Sequence, residues 1–265
     1  MQWGEQMQST GQQPHVGLLV TCLVDAMRPQ IGFAAIHLLE LAGCRVSVPM
    51  QQTCCGQPAQ NSGDQLAAER LARAVVDAFE RFDYIVVPSG SCGSTIKLHY
   101  PAILAGDAAY AARARSMATK TYEIMSFLVD VMDFRPKNLR LSACATYHDS
   151  CAGLRELGIH AAPRRLLAEV ADLTLVPLEG AEVCCGFGGT FAVKYPVISE
   201  AIVTDKAAAI RRTGADLLLG GDLSCLINMA GRLHRLGGNQ RAFHAIEVLA
   251  GMSDGPAIGE PDRSA

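Results

Sequence analysis

The chain has 265 residues, of which 49% are hydrophobic and 18% are charged, and its formal net charge is −3. This composition is typical of a folded globular protein and excludes a largely disordered chain. The slightly acidic balance provides no basic surface for nucleic acid and no polybasic membrane segment. The length fits one large domain or two small ones.

The two ends of the chain have no features of folded structure. The first fifteen residues, MQWGEQMQSTGQQPH, contain no Lys or Arg and no apolar core, so they do not resemble a secretory signal peptide. We expect a disordered tail over residues 1–15 and a flexible tail over residues 252–265. The apolar runs between them are too short to span a bilayer. Ten cysteines without an export signal predict a cytoplasmic protein, in which clustered thiols more often hold metal than form disulfides.

The first half of the chain alternates apolar runs with helix-like segments. The run VGLLV at residues 16–20 leads to Cys22, and the β-rich run CRVSVP at residues 44–49 leads to the sequence Cys54-Cys55-Gly56. A helix with a 3.6-residue apolar stripe follows, and the run YIVVPSGSC ends at Cys92. These segments predict β-strands connected by helices.

The second half repeats the same order. LRLSACATYHDSC ends at Cys151, DLTLVPL precedes Cys184-Cys185-Gly186, a helix is expected from about Ile198 to Arg212, and ADLLLGGDLSC ends at Cys225. Corresponding cysteines lie 129, 130 and 133 residues apart. We therefore predict a first lobe over residues 16–135 and a second over residues 136–251, divided where Pro136 ends a helix.

Continuous apolar runs that alternate with helices predict an α/β fold. Each lobe should be a small parallel β-sheet flanked by helices, and a pseudo-twofold axis should relate the two tandem lobes. In each lobe the cysteines follow the first, second and third strands, so they should converge at the carboxyl edge of the sheet. Helix N-termini and Gly-rich turns direct N–H groups toward this edge. We also expect the two cysteine edges to face each other.

Two groups of four cysteines are the predicted metal ligands: Cys22, Cys54, Cys55, Cys92 and Cys151, Cys184, Cys185, Cys225. Four thiolates suit an iron-sulfur cluster or a tetrahedral zinc ion. Structural zinc usually takes close C-x-x-C pairs, whereas these cysteines come from three separate strand ends, which favours a cluster. Zinc in one or both lobes and plain buried thiols remain alternatives. Cys44 and Cys144 lie outside both groups and are expected to be buried free thiols.

The spacing C-x31-CC-x36-C, repeated as C-x32-CC-x39-C with a glycine after each pair, resembles the cysteine-rich CCG family. That family includes the cysteine-rich subunit of heterodisulfide reductase and the glycolate oxidase iron-sulfur subunit. TCLVDAMRP, QQTCCGQPAQNSG, VVPSGSC, YHDSC and CCGFGGTFAVKYPVISEAIVTDK are similar to sequences of its lactate-utilization members, and the resemblance covers residues 16–250. The family pattern has a further cysteine where this chain has Ser89 and Asp222.

The resemblance implies an oxidoreductase subunit that carries electrons when L-lactate is oxidised to pyruvate. It implies one cluster per lobe, an ordinary [4Fe-4S] cluster in place of the family's five-cysteine type. It also implies two partner proteins: a ferredoxin-like iron-sulfur subunit and a small third subunit. The alternatives are a related electron-transfer subunit for glycolate, glycerol-3-phosphate or heterodisulfide chemistry, and a zinc-stabilised assembly scaffold.

A 2-hydroxy acid would need a cation for its carboxylate and a base for its hydroxyl group. His148, His99 and Lys97 are the candidate catalytic residues, because they follow or precede predicted cluster cysteines closely. Arg28 and Lys194 are further candidate carboxylate ligands. A histidine that only hydrogen-bonds its loop is the alternative for His148. No G-x-G-x-x-G or Walker A motif indicates a nucleotide cofactor.

Overall fold

A computed structural model of the protein describes residues 13–261. Residues 1–12 of the predicted N-terminal tail therefore lie outside the described residues. The first strand begins at His15, the last residue assigned to that tail.

The described residues contain two four-stranded sheets in which all strand pairs are parallel. The first sheet has the order β2-β1-β3-β4 and the second has the equivalent order β6-β5-β7-β8. The strands are β1 (His15–Leu18), β2 (Arg45–Ser47), β3 (Tyr84–Val87), β4 (Thr121–Glu123), β5 (Arg140–His148), β6 (Ala171–Val176), β7 (Leu217–Gly220) and β8 (Arg241–His244). The prediction of two tandem parallel α/β lobes is confirmed.

Helices cover both faces of each sheet. Those of the first lobe are α1 (Cys22–Met27), α2 (Gln30–Leu41), α3 (Gln57–Ser62), α4 (Gln65–Phe79), α5 (Gly90–Ser94), the π-helix π1 (Thr95–His99), α6 (Tyr100–Ile103), α7 (Ala111–Thr119), α8 (Ile124–Ser126) and the π-helix π2 (Phe127–Val131). Those of the second lobe are α9 (Cys151–Leu157), α10 (Ala161–Leu167), α11 (Phe191–Lys194), α12 (Pro196–Arg212), α13 (Leu223–Arg235) and α14 (Ala245–Leu249). The proposed lobe boundary at residue 136 falls between π2 and β5.

The strand registers give a residue-by-residue correspondence between the lobes. Leu18 pairs with Val86 in the first sheet, and Tyr147 pairs with Leu219 at the equivalent place in the second. One residue further along the first strand of each sheet, Leu19 therefore corresponds to His148. Ser89 and Asp222 are equivalent too, because each directly precedes the helix that follows the third strand.

Contacts between the lobes are reciprocal, as a pseudo-twofold axis requires. Helix α2 of the first lobe packs on α14 of the second, and α10 of the second packs on α8 and π2 of the first. Likewise α5 packs on α9, and α1 packs on α13. The larger apolar core contains buried residues of both sheets, including Val16 and Leu218. The two lobes are thus built around a shared core.

The C-terminal segment differs from the predicted flexible tail. Ala257 and Ile258 are buried, and the Ile258 N–H donates to the Ala242 carbonyl at 2.9 Å. The Arg28 guanidinium donates to the Pro256 carbonyl at 2.7 Å. These contacts hold the segment against the second lobe as far as residue 261. Its mixture of Gly, Pro and acidic residues does not indicate this burial in the sequence.

Gly90 lies where α5 meets α9, and an added Cβ would be 2.8 Å from the Gly153 Cα and 2.9 Å from the Ser150 Oγ. We expect Gly90→Ala to lower the free energy of unfolding by about 1–3 kcal/mol, because backbone atoms of the other lobe would have to move. Urea denaturation measures this. Gly106→Ala is the control, since nothing lies within 4 Å of its Cβ position; equal effects of the two substitutions would contradict the close approach.

Candidate metal centres

The four cysteines of the first lobe converge at the carboxyl edge of its sheet. Cys22 begins α1 after β1, Cys54 and Cys55 lie in the loop after β2, and Cys92 lies in α5 after β3. The Cys22 thiol donates to the Cys54 Sγ at 3.8 Å, and the Cys55 thiol donates to the Cys92 Sγ at 3.0 Å. We call these four residues the first centre.

The second lobe repeats this arrangement, which we call the second centre. Cys151 begins α9, Cys184 and Cys185 follow β6, and Cys225 lies in α13. The Cys185 thiol donates to the Cys225 Sγ at 2.9 Å, and Cys151 lies close enough to Cys184 to lower the pKa of its thiol. The predicted grouping of the eight cysteines therefore agrees with the geometry, and all ten cysteines of the chain are unpaired thiols.

A glycine after each Cys-Cys pair supports the bend of the chain. Gly56 and Gly186 have φ angles of 86° and 84°, in the left-handed region that favours glycine. A Cβ on Gly186 would lie 2.8 Å from the Ser199 carbonyl oxygen. The N–H groups of Gly56 and Gly186 donate to the Sγ atoms of Cys54 and Cys184 at 3.5 and 3.3 Å. These turns direct backbone N–H groups toward the sulfur atoms, as anion-binding turns do.

Hydrogen bonds polarise the thiols of each centre. The neighbouring Cys22 thiol lowers the pKa of Cys54, with smaller contributions from Cys55 and the Gly56 N–H. The pKa of Cys184 is lowered in the same way, first by Cys151. The pKa of Cys55 is raised by its hydrogen bonds to Cys54 and Cys92 and by burial. The thiols of each centre thus interact strongly with one another, and binding of a metal to them as thiolates would release protons.

This donor set fits a soft, thiophilic metal. Four thiols within a short distance, supported by glycine turns, suit an iron-sulfur cluster or zinc and do not suit Mg²⁺ or Ca²⁺, which prefer oxygen ligands. Cys44 is buried, and burial raises the pKa of its thiol to about 11. Cys144 is only half-buried in β5. Both are free thiols outside the centres, but the prediction that both are buried holds for Cys44 and is wrong for Cys144.

The first centre faces the second lobe across a cavity. All four of its cysteines line a space of about 220 Å³, which Phe187, Val193 and Leu223 of the second lobe also bound. The carboxyl ends of β3 and β7 meet beside it, because the Ser89 hydroxyl donates to Asp222 Oδ2 at 3.0 Å. The two cysteine edges therefore face each other, as expected from the sequence.

Ser89 and Asp222 are helix caps. The Ser89 Oγ accepts from the Cys92 N–H at 3.3 Å, and Asp222 Oδ1 accepts from the Ser224 N–H at 3.2 Å. Asp222 Oδ2 also accepts from the Ser91 N–H at 3.1 Å. Where the family pattern has a further cysteine, this chain instead has a hydrogen bond between equivalent residues of its two lobes.

His148 is the one predicted catalytic residue that lies beside a cysteine group. It is 1% exposed, and its ring places a nitrogen within 4.8 Å of the Cys185 and Cys225 Sγ atoms. Burial, and next the nearby Lys206 ammonium, lower its pKa to about 4. Lys206 is also buried and donates to the carbonyls of Gly180 and Ala181.

The structure does not bring the other predicted cations to the cysteines. The Lys97 ammonium donates to the Thr121 carbonyl at 3.0 Å, at the amino end of β4 and thus at the opposite edge of the sheet. His99 contacts Glu156 of the second lobe at 3.1 Å. Arg28 forms an ion pair at 2.8 Å with Glu247, whose side chain is fully buried. Lys194 is exposed. The geometry gives no support for a catalytic role of Lys97 or His99.

Sequence reasoning missed two buried titratable residues at the ends of the fourth strands. Glu123 and His244 occupy equivalent positions, each capping the helix that follows. Burial raises the pKa of Glu123 to about 8, and burial lowers the pKa of His244 to about 4. The sequence gives no signal for this burial, because a single polar residue at the start of an apolar segment such as EIMSFLVDVM (residues 123–132) is usually exposed.

No helix among residues 13–261 is both long and apolar enough to cross a bilayer.

The family model of the cysteine-rich domain CCG matches residues 16–97 and 145–230 of the sequence. Lactate utilization protein A of Exiguobacterium sp. is 46% identical over 238 residues, which are 89% of this chain and 97% of that protein. Lactate utilization protein A of Geobacillus kaustophilus is 48% identical over 234 residues, which are 88% of this chain and 98% of that protein.

Among solved structures, a hypothetical protein from Helicobacter pylori has a TM-score of 0.65 at 8% sequence identity. The match covers 95% of this chain and 50% of that chain. At this identity the likeness shows the fold alone, and it supports the α/β architecture described above.

Glu123 gives rise to a prediction about pH. Its Oε2 accepts from the N–H groups of Met125 and Ser126 at 3.0 and 3.2 Å, and the buried Oε1 has no hydrogen-bond partner among the described residues. Because its pKa is raised from 4.5 to about 8, the folded protein keeps Glu123 protonated while the unfolded chain ionises it. Glu123 should therefore reduce stability progressively as the pH rises from about 4.5 to about 8.

Glu123→Gln keeps an acceptor for the cap and removes this ionisation. We expect its gain in unfolding free energy over the unmodified protein to grow across that pH range and to level off above it. Urea denaturation at a series of pH values measures the difference. Glu40→Gln, at an exposed carboxyl group, is the control; a pH-independent gain for Glu123→Gln would contradict the raised pKa.

Proposed function

Because the chain belongs to the family of proteins with the cysteine-rich CCG domain, we propose that it is an iron-sulfur subunit of a lactate utilization system. In this role it carries electrons released when L-lactate is oxidised to pyruvate. The observation that carries the proposal is the convergence of two groups of four thiols at facing edges of the lobes. The choice of lactate follows from the names of the most similar relatives.

The number of centres suits this oxidation. Conversion of a 2-hydroxy acid to a 2-oxo acid releases two electrons and two protons. When bound, an iron-sulfur cluster supplies one-electron chemistry, so two centres in one chain match the two electrons. In each lobe the N–H of the glycine turn donates to the Sγ of Cys54 or Cys184, which would support negative charge on a metal-bound thiolate.

The ligand arrangement favours clusters over zinc staples. A structural zinc site usually joins two close pairs of ligands, whereas the thiols here come from loops that follow three different strands. A metal bound by the thiols of this chain would join the strand ends of a fold that already has its own apolar core. The metal is therefore better placed to do redox chemistry than to hold the chain together.

Electrons have to pass to or from other proteins. The chain contains no C-x2-C-x2-C-x3-C run typical of ferredoxins and no nucleotide-binding motif. We propose lactate utilization proteins B, a ferredoxin-like iron-sulfur protein, and C as its partners. The cytoplasm, where the ten thiols would stay reduced, is the proposed location.

Metal content tests the cofactor directly. Protein purified without oxygen should contain about eight irons and eight acid-labile sulfides per chain, and reduction should produce an electron paramagnetic resonance spectrum. Cys54→Ser and Cys184→Ser should each remove roughly half of the iron and sulfide, because each disrupts one centre. Cys144→Ser, outside both centres, is the matched control. Zinc without sulfide would overturn the electron-transfer role and favour an assembly scaffold.

Substrate choice tests the assignment to lactate. Mixed with its two proposed partners, the chain should support reduction of an artificial acceptor by L-lactate, and Cys54→Ser or Cys184→Ser should lower this rate at least about tenfold, since an electron path missing one centre is interrupted. Cys144→Ser should leave the rate unchanged. Faster reduction by glycolate or glycerol-3-phosphate than by L-lactate would reassign the complex.

A further inference from the structure

His148 is a buried polar side chain whose hydrogen-bonding needs are not met by the protein. It ends β5 and is 1% exposed, yet neither Nδ1 nor Nε2 has a hydrogen-bond partner among the described residues. The carbonyl of Ala181 is near enough to favour a proton on the ring, but it does not form a hydrogen bond of normal geometry. A buried polar group without a partner is costly, so such a group requires an explanation.

The nearest chemical groups indicate what the missing partner is. A ring nitrogen of His148 and the Sγ atoms of Cys185 and Cys225 all lie within 4.8 Å of one another. Metal–sulfur and metal–nitrogen bonds are about 2.3 and 2.0 Å long, so donors bound to one ion lie within about 4.5 Å of each other. The observed spacing is close to this limit.

Electrostatics favour the same partner. In its neutral form an imidazole presents a lone pair on one of its nitrogens. A lone pair directed at thiolates would be repelled by them, whereas a metal cation between the nitrogen and the sulfur atoms would bond to both. Neutral imidazole is a common ligand of iron and zinc.

We propose that His148 is a ligand of the metal in the second centre. That centre then has imidazole and thiolate donors, whereas the first centre has thiolates alone. The proposal rests on the proposed function in one respect, namely that the second lobe binds a metal. The equivalent residue of the first lobe is Leu19, which is fully buried and cannot coordinate a metal. The two lobes are therefore chemically different despite their shared fold.

At position 148 a neutral imidazole contributes less negative charge than a thiolate would, so it gives a higher reduction potential than a cysteine ligand there, as in Rieske proteins. The lobes differ in charge nearby as well: Lys206 is buried in the second lobe, whereas Val75 occupies the equivalent place in the first according to the contacts that Gly56 and Gly186 make with α4 and α12.

The test uses the whole chain, purified without oxygen after growth with ¹⁵N-labelled histidine. Pulsed electron paramagnetic resonance of the reduced protein should show one strongly coupled imidazole nitrogen. His148→Leu, which introduces the residue of the first lobe, should abolish this coupling, and His99→Leu should retain it, because His99 lies at an exposed contact with Glu156. His148→Cys places an anionic ligand at this position in place of the neutral imidazole; it should keep the iron content, lack the nitrogen coupling and have a lower midpoint potential.

Several results would overturn the proposal. They are the absence of imidazole coupling in the unmodified protein, coupling that persists in His148→Leu, and weak coupling of the size that a hydrogen-bonded histidine gives. If His148→Leu fails to fold, the unmodified protein and His148→Cys still decide. If the chain holds zinc in place of iron, the proposed function fails, but X-ray absorption at the zinc edge still tests the ligand: sulfur with one nitrogen supports it, and sulfur alone overturns it.

Discussion

The convergence of four thiols at one edge of a parallel sheet is the constraint on which the structure depends. Parallel strands place all their carboxyl ends together, and each lobe brings its cysteines there from three loops. Thiolates so close to one another would repel, and the Sγ atoms of Cys55 and Cys92 lie only 3.0 Å apart. A bound cation would offset this repulsion, so metal binding would be coupled to the geometry of these loops.

The pseudo-twofold axis turns two such edges toward each other. Ser89 and Asp222 are equivalent residues, and their hydrogen bond joins the ends of the third strands at the boundary between the lobes. Close packing of Gly90 on Gly153 permits this approach, because side chains there would separate the lobes. The two lobes therefore differ from two independent domains. They share a core and contact each other beside their cysteines, so a change in these loops of one lobe would also affect the other lobe.

Much of this could be predicted from the sequence, because the repeated spacing of cysteines and apolar runs is local information. The parallel sheets, the grouping of the eight cysteines and the limits of α12 follow from such patterns. Contacts across the lobe boundary could not be predicted in this way. Nothing in the sequence indicates that Asp222 accepts a hydrogen bond from Ser89 of the other lobe. Lys97 is close to Cys92 along the sequence, but its ammonium group does not lie near the cysteines. The π-helix π1, with its wider turns, and the contact with Thr121 take Lys97 to the far edge.

Charge is distributed unequally between lobes that have the same fold. Asp149 is buried two residues before Cys151, where an unpaired carboxylate would add to the negative charge of the second centre. Arg164 neutralises it through two hydrogen bonds of 2.8 and 2.7 Å and also lies over the Tyr147 ring. The equivalent residue in the first lobe is Val20, for which no such compensation is needed. The two cysteine edges thus share one geometry, but beside the second one a buried ion pair stands where the first lobe has an apolar residue.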